Sequence, residues 1–212
     1  MNLSTLLASR LARAFVLTCS AGLAACGGAT PAPVASGAPP AASQSLVGHW
    51  TGACSPMGAT QGSTVTFDIT AANWAIDFDV FGDAACTAKF ATVHIEGPYA
   101  IGAASSVVAG AHDAKFGFSK KTITAHVDAA AQFLSSANGC ALPGFAVGVA
   151  RDISVTGCAG MGQRPIAACE ADYDLAHVEG DRLTFGARPA DNDLCTPAKR
   201  PAALSKSSVT RR

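Results

Sequence analysis

The sequence predicts an all-β domain: a strongly curved antiparallel sheet or β-barrel with one short helix, stapled by disulfides. Three observations carry this. From residue 46 to about residue 201 the apolar residues recur with a period of two, which gives strands one apolar and one wet face. The strand-like runs follow one another without the alternating helices of a doubly wound fold. Six cysteines fall within the same stretch, enough to fasten long loops that a small core cannot hold. A sandwich is the alternative; closing the sheet into a barrel has the advantage of removing its edges.

The elements follow in order. The first strand is expected over 47–54. Val65, Phe67 and Ile69 then alternate with Thr64, Thr66 and Asp68, and Trp74, Ile76, Phe78 and Val80 alternate with Ala75, Asp77 and Asp79. Further strands are expected over 90–99, 107–118, 122–127, 145–153, 171–178 and 183–188. Glu179-Gly180-Asp181 reads as a hairpin turn, its glycine free to take positive φ. Only 128–137, with Asp128 as N-cap before Ala-Ala-Ala-Gln-Phe-Leu, reads as helix. The closed arrangement of these strands would be lipocalin-like.

The N-terminus has the order of a secretory signal: Arg10 and Arg13, the apolar run 14–23, then Leu23-Ala24-Ala25-Cys26. Leu-Ala-Ala-Cys resembles the bacterial lipoprotein box, in which the cysteine thiol is acylated before cleavage. Residues 1–25 would then be a lipoprotein signal peptide, and acylated Cys26 would tie the protein to a membrane. Gly27, rather than aspartate, follows Cys26, which for such lipoproteins implies the outer membrane with a periplasm-facing body. Residues 26–45 are mostly Ala, Gly, Pro and Ser, with Pro31, Pro33, Pro39 and Pro40, a composition of tethers. The expected folded domain is 46–201. Lys199, Arg200, Lys206, Arg211 and Arg212 make the C-terminus basic, and 202–212 reads as a disordered tail.

Of the eight cysteines, Cys19 leaves with the signal and Cys26 is consumed by acylation. The remaining Cys54, Cys86, Cys140, Cys158, Cys169 and Cys195 have no Cys-x-x-Cys spacing for a metal and lie in an exported chain, so three disulfides are expected. Six cysteines permit 15 connectivities. The sequential one, Cys54 with Cys86, Cys140 with Cys158 and Cys169 with Cys195, is our expectation.

Charged residues are only 14% of the chain, 15 basic against 15 acidic, which gives no field to hold a polyanion and argues against nucleic acid. There is no Gly-x-Ser-x-Gly elbow, His-Glu-x-x-His or phosphate loop, so no enzyme and no cofactor is expected. His49, His94, His112, His126 and His177 are scattered without ligand spacing, and His49 is expected opposite Trp50. Asp77 and Asp79 share a strand face but fall short of calcium's six to eight ligands. Arg188-Pro189 with Asp191 and Asp193 reads as a local clasp. The chemistry-bearing group is aromatic: Trp50, Phe67, Trp74, Phe78, Phe116, Phe118, Phe145, Tyr173 and Phe185, which alternation turns to one concave face. Either they fill a barrel of about eight strands or they line one ligand pocket.

One register holds Gly48-His49-Trp50 with Cys54, Trp74, Asp83-Ala84-Ala85-Cys86, Gly97-Pro98-Tyr99, Val108-Ala109-Gly110-Ala111, Phe116, Phe133 with Cys140, Gly148 with Asp152, Cys158, Glu170, Leu183-Thr184-Phe185-Gly186 and Arg188-Pro189-Ala190-Asp191. This order resembles the extracellular domain of the adenomatosis polyposis coli down-regulated family, membrane-tethered Wnt inhibitors of animals, over roughly residues 46 to 200. The resemblance implies a β-barrel-like domain with an apolar, lipid-accepting cavity and disulfides at Cys54–Cys86 and Cys140–Cys158. The chain departs from the family in its single domain copy, its acyl anchor, its added Cys169–Cys195 pair and Ser55 in place of an acidic residue. A bacterium has no Wnt pathway, so only fold and pocket carry over.

The expected function is that of a non-enzymatic, lipid-anchored periplasmic protein binding a fatty acyl chain or lipid. An envelope interaction module with a filled core is the alternative, its protein partner unknown, and a hydrolase with an unrecognised site ranks behind both.

Overall fold

Strands β3 (Gln61–Ile69) and β4 (Asn73–Phe81) pair antiparallel from Gly62–Phe81 to Ile69–Trp74. The alternation fixes that register, since a slip of one residue would turn Phe67, Trp74 and Ile76 to solvent. The computed structural model describes residues 45–212. The signal peptide, Cys26 and the tether expected before residue 45 lie outside the described residues.

The other strands are β1 (Gly48–Gly52), β2 (Ser55–Met57), β5 (Lys89–Ala104), β6 (His112–Gly117), β7 (Lys120–Ala125), β8 (Ala150–Asp152), β9 (Ala171–Glu179), β10 (Arg182–Phe185) and β11 (Val209–Arg211). Following the pairings around, β1-β3-β4-β5-β6-β9-β10-β11 returns to β1, a closed eight-stranded antiparallel barrel. The fold class is as expected. All three disulfides join sequential cysteines: Cys54–Cys86, Cys140–Cys158 and Cys169–Cys195.

The 16-residue β5 serves two neighbours on one edge. Ala91 to Glu96 pair with β7, while Tyr99 to Ala104 pair with β6, so the sheet forks there. Gly97 sits at the branch. A Cβ on it would lie 2.1 Å from the Gly117 carbonyl oxygen, so only glycine lets the end of β6 come this close. Beyond the fork, β7 and β8 form a wing over which helix α1 (Asp128–Ser135) packs Ala130, Ala131 and Leu134. A second core fills one end of the barrel around Trp50, Phe67, Ile69, Phe116 and Leu183.

The structure changes four local expectations. The N-cap of α1 is Val127, with no side-chain cap bond, and Asp128 is its first helical residue. In the run expected over 145–153 only Ala150–Asp152 is strand, and β6 begins at His112, five residues after the expected 107. Most consequential is the C-terminus: 202–212 is not a tail, because Val209–Arg211 forms β11 between β1 and β10 and closes the barrel. Arg211 donates to the carbonyls of Val47 and Ser45 and lies 4.1 Å over the Trp50 ring, while Arg212 Nε donates to Thr51 Oγ1 at 2.9 Å. Arg211 and Arg212 are thus spent on β1 and the residues just before it. The hairpin between β9 and β10 is as read, with Gly180 at φ 57°.

Candidate ligand cavity

Inward positions of β3, β4 and β5 put Val65, Phe67, Trp74, Ile76, Phe78, Val93 and Ile95 around a cavity of about 770 Å³ inside the barrel. Phe116, Phe118 and Phe185 complete its apolar wall. The rings pack against one another: Phe67 and Phe185 have centroids 4.8 Å apart, and Trp74 meets Phe116 edge-on at 5.1 Å. The Trp74 indole N–H is satisfied by the Gly117 carbonyl at 2.9 Å, which fixes the ring's position. The volume falls within the range of small-molecule sites.

Three of the aromatic residues expected in the pocket lie elsewhere. Trp50 is fully buried in the end core, its Nε1 donating to the Leu46 carbonyl at 2.8 Å beneath the Arg211 guanidinium. Phe145 follows the helix, not a strand, and packs in the core under α1 beside Arg151. Tyr173 points out of the barrel, between Lys115 and Arg200. The chain beyond the end of β10 returns to β9 here: Leu194 O accepts from Tyr173 N, and Arg200 donates to the carbonyls of Ala114 and Asp174. β9 turns Asp172 and Asp174 inward.

The cavity therefore has a second, charged wall. Lys121 of β7, Asp172 and Asp174 of β9, and Arg164 and Arg188 from loops all line it. Two disulfides hold these loops. Cys140–Cys158 fixes the turn that carries Met161 to Arg164, and Cys169–Cys195 ties the start of β9 to the segment of Arg188 and Asp191. Arg188 crosses to Asp172 (2.5 Å) and to Asn192 Oδ1 (2.9 Å), rather than pairing with Asp191 or Asp193 as expected. Asp193 takes Arg164 at 3.3 Å. Asp174 Oδ1 accepts from Leu175 N and Gly186 N at 2.7 and 2.9 Å. Burial pushes its pKa up to about 6, against the lowering effects of Arg188 and the two N–H groups.

Lys121 is only 3% exposed. Its ammonium donates to the Arg164 carbonyl at 3.2 Å and stands 4.0 Å over the Phe118 ring, and among the described residues it forms no ion pair. Burial, then Arg164 and Arg188, lower its pKa, while Asp172 opposes them. The signal for this wall is a lysine in phase with Ile123 and Ala125; the strand expected over 122–127 began one residue too late to include it.

The remaining candidates face outward. His49 bonds Asp68 at 2.6 Å, and Asp77 bonds His94 at 2.7 Å. Asp79 is held by Lys89 and Thr92. Among the described residues no three His, Cys, Asp or Glu side chains converge as a metal site, and no helix is long and apolar enough to cross a membrane. The Asp83-x-x-Cys86 motif has a structural explanation: the Asp83 carboxylate accepts from the N–H groups of Ala85, Thr87 and Ala88, bonds that lower its pKa and shape the loop carrying Cys86. No protein-family model and no curated protein matches the chain.

Proposed function

We propose that the protein is a lipid-anchored binding protein of the bacterial outer membrane, facing the periplasm, whose barrel holds a fatty acyl chain or lipid. The carrying observation is the cavity of about 770 Å³ with an aromatic and aliphatic wall inside a closed barrel. An apolar surface of this kind binds by removing itself and its ligand from water. The motif order shared with the adenomatosis polyposis coli down-regulated domain supports the reading, and so does the Leu-Ala-Ala-Cys segment for the anchor at Cys26. The filled-core alternative has less support, because the barrel interior is open.

Mass spectrometry of the full chain, extracted from membranes in mild detergent, tests both parts. Under denaturing conditions the account expects a covalent acyl modification confined to Cys26. Under native conditions it expects a further, non-covalent adduct at near-stoichiometric occupancy that organic extraction identifies as an acyl lipid. A clean protein mass that stays unchanged when fatty acid is added would contradict the binding reading.

A further inference from the structure

The charged wall specifies what kind of lipid the cavity takes. A buried ammonium is costly unless matched by an opposite charge. The carboxylates that share the cavity are otherwise engaged: Asp172 is bound by Arg188, Asp174 is turned toward Leu175 N and Gly186 N, and Asp191 lies 3.9 Å from the Lys199 ammonium. Arg164 is likewise drawn to Asp193. Lys121 therefore retains donor capacity beyond its bond to the Arg164 carbonyl, and its charge is supported by the Phe118 face. The same ring lies 6.1 Å from Trp74, so the ammonium borders directly on the aromatic wall.

We propose, resting on the lipid-binding reading above, that the cavity takes an amphiphile with a single anionic head group, carboxylate or phosphate. Lys121 holds the head at the fork between β6 and β7, and the chain lies along Phe67, Trp74, Phe78 and Phe116. Arg188 and Arg164, whose charges are met by Asp172 and Asp193, are not its principal contact.

The test compares dodecanoate, dodecyl phosphate and dodecanol, which share one chain and differ in head group, by native mass-spectrometric titration of the full chain. At least one of the two anions is expected to bind wild type about tenfold to a hundredfold more tightly than the alcohol, the range of one charged hydrogen bond. Whichever anion is tighter identifies the head group. In Lys121→Met that preference should collapse, so that the two anions and the alcohol bind with similar affinity. Equal affinities of all three for wild type would overturn the head-group inference while leaving lipid binding standing, and this comparison needs no variant. An anion preference that survives Lys121→Met would overturn the role of Lys121. Failure of all three to bind would overturn the lipid-binding reading itself.

Discussion

Asp174 makes the clearest prediction at the scale of single residues. Its pKa is 3.8 in an ordinary setting and about 6 in the fold, so the folded state holds the proton more tightly. Stability contributed by this group therefore falls as pH rises from about 4 to about 6, and the penalty is complete above that window, on the order of 3 kcal/mol. Asp174→Asn keeps the oxygen that accepts from Leu175 and Gly186. It should stabilise the protein against urea at pH 7.5 by an amount of that order and lose the advantage at pH 4; a variant no more stable at pH 7.5 would contradict the assignment. Trp50 behaves in the opposite way. Because it fills the end core beneath Arg211 rather than lining the cavity, Trp50→Ala should cost about 3–5 kcal/mol in a urea melt. A loss below about 1 kcal/mol would show that the ring is not part of the packed core. Sequence pattern separated the two roles poorly: Trp50 and Trp74 both occupy inward strand positions, and only the closure of β11 over Trp50 distinguishes them.

At the scale of elements, the long strands were legible and the short ones were not. β3, β4 and the first half of β5 alternate over enough residues for period two to speak, and the observed registers agree with it. β11 offers three residues with a single buried side chain, Val209, and no period can be read from so few. β9 misled for another reason. Leu175 is fully buried although Asp172 and Asp174 are the residues that line the interior, and the chain beyond β10 reaches β9 at Tyr173 N and at the Asp174 carbonyl. Contacts made by a distant segment leave no mark on the strand's own alternation. Deleting residues 205–212 should open the barrel, exposing β1 and β10 to amide exchange and the interior to hydrophobic dyes. Protection unchanged in both strands would contradict the closure. Replacing Cys169 and Cys195 by alanine should cost about 2–4 kcal/mol by loosening the unfolded chain. A loss well below that range in urea melts would show that the segment around Cys195 holds its place without the bond.

At the scale of the molecule, a closed sheet, a wing under α1 and three disulfides leave one cavity inside the barrel with an aromatic wall and a charged corner. Its apolar half was legible in Phe67, Trp74, Phe78, Phe116, Phe118 and Phe185. Its charged half depends on a fork that Gly97 permits and on loops placed by disulfides, and these long-range features do not follow from local pattern. The two tryptophans provide a direct probe of occupancy, since Trp74 lines the cavity and Trp50 is sealed in the end core. The measurement is tryptophan fluorescence of the full chain titrated with a dibrominated fatty acid, whose bromines quench on contact. Saturable quenching is expected in wild type, relieved by an unbrominated fatty acid and absent in Trp74→Phe. Unquenched wild-type fluorescence, or quenching that persists in Trp74→Phe, would contradict binding in the barrel.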